Sequence, residues 1–103
     1  MALAATINTT QKIPFTFAPD QALDGAITAE VQGDATVEFD DPTTGLTGFI
    51  VSGSTAGSDV IVTFTGDGAP GAEVVTLQEV ATITITAPNA TTLGATLGTP
   101  VPK

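Results

Sequence analysis

Carboxylates are the one reactive group that this chain holds in number. Eleven Asp and Glu stand against two cations, Lys12 and Lys103, and His, Cys, Tyr and Trp do not occur. A pair of carboxylates can run glycoside hydrolysis, one acting as acid and the other as base or nucleophile. Asp40, Asp41, Asp59 and Asp67 are the residues from which such a pair could be drawn. Sugar-cleaving sites normally also hold the ring on Trp or Tyr, and neither is present. Acidic residues at the turns of a soluble domain explain the same positions more simply. Nucleophilic catalysis fares worse: Ser52, Ser54 and Ser58 lie among glycines and have no base to activate them. Lys12 falls on a strand face and Lys103 at the end of the chain. No catalytic residue is assigned, and the chain is expected not to be an enzyme.

Soft-metal binding lacks its ligands, since Cys and His are absent. A hard cation would need oxygen donors, and Asp40, Asp41, Asp67 and Glu73 lie in or beside expected loops. Their spacing does not follow a calcium-loop pattern, so neither metal nor cofactor is expected. Gly66-Asp67-Gly68-Ala69-Pro70-Gly71 is rich in glycine, but a phosphate loop needs a following helix and usually a Lys. The segment is expected to be a mobile hairpin loop. Asn8-Thr9-Thr10 and Asn89-Ala90-Thr91 match the glycosylation sequon and carry little weight without a secretory route.

The elements that position these residues read as strands. Threonine is about a fifth of the chain, and Val and Ile supply much of the apolar content. Such β-branched side chains suit a pleated surface better than a helix. Ile13, Phe15 and Phe17 alternate with polar neighbours, and Pro14 among them points to an edge strand or a strand start. A weaker alternation covers 26–31. Ala35, Val37 and Phe39 then face inward against Thr36, Glu38 and Asp40, and Asp41-Pro42-Thr43-Thr44-Gly45 has turn chemistry. A short strand is expected over 48–52. Val60, Val62 and Phe64 face a core, with Ile61 on the other side. The last segment, about 73–87, turns Ala81, Ile83, Ile85 and Ala87 inward, with a bulge or turn at Gln78 and Glu79. About seven short strands near ten-residue spacing predict one all-β domain, an antiparallel sandwich of two sheets.

The net charge of −9 makes nucleic acid and anionic membrane unlikely partners, since binding to either rests on cations. The start, Met1-Ala2-Leu3-Ala4-Ala5-Thr6, lacks the basic and apolar regions of a signal peptide, which leads to an expectation of cytoplasmic synthesis. Residues 88–103 contain a short echo, Thr92-Leu93-Gly94-Ala95 and Thr96-Leu97-Gly98-Thr99, closed by Pro100-Val101-Pro102-Lys103. Two leucines cannot build a core, so this stretch is expected to be an extended arm that orders, if at all, against a neighbour.

Four stretches taken together carry a resemblance. They are Thr10-Gln11-Lys12-Ile13-Pro14-Phe15-Thr16-Phe17, Gly33 through Pro42, Gly57-Ser58-Asp59-Val60-Ile61-Val62-Thr63-Phe64, and Ala81-Thr82-Ile83-Thr84-Ile85-Thr86. Their order resembles bacterial immunoglobulin-like domains, in particular the small stand-alone versions among tailed-bacteriophage structural proteins. The chain departs from the wider group in lacking a core Trp. The resemblance implies an immunoglobulin-like sandwich over 10–87, between an N-terminal arm at 1–9 and a C-terminal arm at 88–103. It implies a non-enzymatic virion component, such as a capsid decoration protein bound to the major capsid protein or other virion proteins, with self-association open. An adhesion or carbohydrate-binding module on a phage tail or cell surface is the alternative.

Overall fold

The computed structural model describes residues 3–90 and 92–103. Seven strands form: β1 Leu3–Asn8, β2 Lys12–Thr16, β3 Thr28–Gln32, β4 Ala35–Phe39, β5 Thr47–Ser52, β6 Ser58–Asp67 and β7 Thr76–Thr86. They build two sheets, one ordered β1-β7-β6-β3 and the other β2-β5-β4. The architecture is all-β and two-layered, as the alternation predicted.

The long β6–β7 hairpin is the spine. Its pairing runs without interruption from Ser58 opposite Ile85 to Asp67 opposite Thr76. The bulge expected at Gln78 and Glu79 is therefore absent, and these residues pair with Thr65 and Phe64. Because β7 keeps strict period two, Ala81, Ile83 and Ile85 all enter the core. Ala87, expected to join them, lies one residue past the strand and is exposed.

Leu3–Asn8, set apart as an arm by the sequence, is instead a strand of the first sheet. It pairs in parallel with β7, Leu3 opposite Ala81 through Asn8 opposite Thr86. The first sheet is thus mixed rather than wholly antiparallel, and Ile7 is buried in the core. A turn then carries the chain to the second sheet: the Asn8 carboxamide accepts from the Thr10 amide and hydroxyl, and the Gln11 side chain accepts from the Asn8 amide.

Pro14 sits where its missing donor costs nothing. The Phe17 amide donates to Leu46, in register with the β2–β5 ladder, so Phe15 and Ile13 also turn their backbone groups toward β5. Pro14 turns the other way, and β2 is the sheet edge. Between the sheets, Phe15 meets Phe64 at 4.8 Å and Phe64 meets Phe17 at 5.0 Å between ring centroids. Val60, Val62 and Ile85 around them are fully buried.

The two flanks of the sandwich differ. On one, Gly33 and Asp34 alone join β3 to β4 across the sheets. Gly33 takes φ 118° there, and a Cβ would stand 3.0 Å from the Val60 side chain. On the other flank, β1 and β2 are the facing edges, and the chain crosses between them at the turn after Asn8. The molecule measures 85 × 23 × 18 Å, because the described part of 88–103 extends from the body rather than packing on it. Leu93 and Leu97 are completely exposed and Val101 nearly so.

Candidate functional site

Of the carboxylates considered for chemistry, Asp41, Asp59 and Asp67 accept hydrogen bonds, while Asp40 adjoins Asp41 and its backbone amide donates to the Thr47 carbonyl. Asp59 and Asp67 occupy the two ends of β6. Eight residues of strand put them roughly 26 Å apart, far beyond the roughly 5–9.5 Å that glycoside hydrolysis requires. Asp59 accepts a 3.0 Å hydrogen bond from the Thr84 hydroxyl across the hairpin. Asp67 accepts from the amides of Ala69 and Val75, at 3.0 and 2.9 Å. With the Gly68 amide donating to Val75 at 2.8 Å, those bonds tie down the loop expected to be mobile.

Asp41 organises its turn, accepting from the Thr43 hydroxyl at 2.6 Å and amide at 3.0 Å. These bonds, the hydroxyl first, hold its carboxyl below the ordinary value. Asp34 ties the β3–β4 connection to the β5–β6 loop: its carboxylate accepts from the Thr55 amide at 2.9 Å, and hydrogen bonds from Thr55 lower its pKa. Sequence patterning gave Asp34 no role beyond ending a strand. Ser52 donates to the Gly53 carbonyl, and the Lys12 ammonium lies 4.1 Å over the Phe49 ring. Among the described residues, no three acidic, His or Cys side chains are grouped to hold a metal ion.

The concave surface of the molecule is the open flank. Two cavities line it. One, of about 270 Å³, lies between β1 and β2, against Leu3, Ala5, Ile13, Phe15 and Ile83. The other, of about 360 Å³, lies between the segment after β2 and the start of β7, against Pro19, Leu23, Ile27, Leu77 and Glu79. Phe17 and Phe64 form part of the wall of both, so the two adjoin. The larger is more than twice the roughly 150 Å³ of an apolar cavity that admits benzene.

Three features make this flank suited to an extended peptide. The lining is mainly apolar, with Leu77 half exposed at 48%. β1 covers β7 only from Ala81 onward, so residues 76–80 have no described strand beside them on that side. Among the described residues no strand pairs with their outer backbone groups, an edge of the kind to which a strand can be added. Glu79 contributes a buried Oε2 with no hydrogen-bond partner among the described residues. A buried acceptor left unpaired is costly, and a donor from an incoming chain would satisfy it.

Leu77 and Glu79 were legible in principle. Carrying the Ala81-Ile83-Ile85 alternation back by two and four positions places both on the inner face. The expected bulge hid that continuity. Carbohydrate recognition finds less support, because Phe15, Phe17, Phe39 and Phe64 pack tilted or edge-on against one another and Phe49 lies under Lys12. No protein family, curated protein or solved structure matches the chain. No helix among the described residues is long and apolar enough to cross a membrane.

Proposed function

We propose that this chain is a non-enzymatic structural module of a virion, an immunoglobulin-like domain that decorates a phage capsid. The strand order supports the fold reading. The orders β2-β5-β4 and β7-β6-β3 are compatible with the orders B-E-D and G-F-C of that fold. The first strand lies beside the last. The functional part rests on one observation above all: an arm whose Leu93, Leu97 and Val101 side chains are exposed extends from a body in which Asp41, Asp59 and Asp67 are engaged in turns and strand pairing. Exposed apolar side chains on an extended segment are an attachment device, worth about 1.5–3 kcal/mol each once buried. Mass spectrometry of purified virions from the phage encoding the chain should find it in stoichiometric amount. Its absence from those particles would contradict the assignment.

A further inference from the structure

The open flank and the arm complement each other in shape, polarity and charge. The flank offers adjoining apolar cavities, a strand edge at 76–80 that no described strand covers, and a Glu79 carboxylate oxygen with no partner among the described residues. The arm offers Leu93, Leu97 and Val101, spaced four residues apart, so all three fall on one side of an extended strand. Every carboxylate side chain lies on the body, which with Lys12 carries −10, whereas the arm carries only Lys103. Two bodies therefore repel each other, while arm and body do not.

Geometry directs the arm outward. It leaves from the Thr86 end of β7, whereas the larger cavity lies at the Thr76 end, ten residues or roughly 33 Å back along the strand. The 85 Å long axis and the full exposure of Leu93 and Leu97 show it lying off the body. Gly94, at φ 66°, and Gly98 give it two pivots that can also take strand dihedrals.

We infer that the arm, residues 88–103, docks along the open flank of a second copy of this chain. It lies beside residues 76–80 of β7 and seats its leucines in the cavities walled by Phe17 and Phe64. The inference rests on reading the chain as an assembly module, and it names the partner of the arm. Because flank and arm are different surfaces, the contact is head-to-tail, closing as a ring or a reciprocal pair or continuing as a chain.

Sedimentation velocity of the full chain over a wide concentration range tests this, in salt high enough to screen the body's charge. The mass of the wild type should rise with concentration. Leu93→Asp/Leu97→Asp, which alters side chains that touch nothing, should weaken association at least tenfold. Leu77→Asp should do the same with its thermal transition retained. Mixing the two variants should restore a complex, since the intact arm of one meets the intact flank of the other. A wild type that stays monomeric, an arm variant that associates normally, or a mixture of folded variants that stays apart would overturn the inference. Should Leu77→Asp fail to fold, the arm variant decides alone. A monomeric wild type still found on virions would refute the docking and leave the proposed function standing. Association without virion incorporation would do the reverse.

Discussion

Single residues in this sandwich do more to fix turns than to present chemistry. Gly45 is an instance: at φ 68° it lies so close to Ile27 that a Cβ would stand 2.6 Å from the Ile27 carbonyl oxygen. Gly57 has a similar φ of 84° and open space around it. Alanine at Gly57 should therefore cost only the left-handed backbone penalty of about 1–2 kcal/mol. Alanine at Gly45 should add about 1–3 kcal/mol for overpacking, measured by urea denaturation of both variants. The carboxylates act in the same structural way. Asp34 and Asp41 titrate below their ordinary value of 3.8 because Thr55 and Thr43 donate to the charged form. Depressed carboxyl pKa values stabilise the fold above the unfolded value, and that stability goes as pH falls through the folded value. Thermal melts should accordingly show Asp34→Asn/Asp41→Asn less stable than wild type at pH 7, with the gap closing below about pH 3.8. The turn role of Asp41 was legible from Asp41-Pro42-Thr43-Thr44-Gly45 alone. The role of Asp34 was not, since its partner Thr55 is 21 residues away.

At the scale of elements, alternation told where six of the seven strands lie, and local sequence could not tell how they pair. Val60, Val62 and Phe64 in β6 and Ala81, Ile83 and Ile85 in β7 are buried as their patterns predicted, because one wrong step in register would expose the whole set. Ile85→Ala should cost about 2–5 kcal/mol in urea denaturation, and Ile61→Ala on the outer face of β6 less than about 1 kcal/mol. Equal losses would mean that the face assignment is wrong. β1 escaped notice because Leu3–Asn8 has only Ile7 as a strongly buried anchor and its partner lies at the far end of the chain. A parallel pairing that distant leaves no mark within a local window. The same nonlocality concealed the open flank: the cavity residues Phe17, Leu23 and Leu77 come from segments that only the sandwich brings together.

For the whole molecule, the division of labour is between an acidic two-sheet body and an arm that the body does not hold. The sequence predicts an arm at 88–103 because Leu93 and Leu97 are too few to build a core, and both are fully exposed. Its counterpart was not foretold, because a groove is a property of assembled sheets. Self-repulsion of bodies at −10 and attraction through a near-neutral arm together favour assembly by reach rather than by face-to-face contact. The most direct test is the set of backbone amide NMR shifts of the full chain across a dilution series. The account predicts concentration-dependent changes confined to residues 92–103 and to the flank around Phe17, Leu77 and Glu79, with the β3–β4 flank unmoved. Invariant arm resonances, or changes centred on the β3–β4 flank, would contradict it.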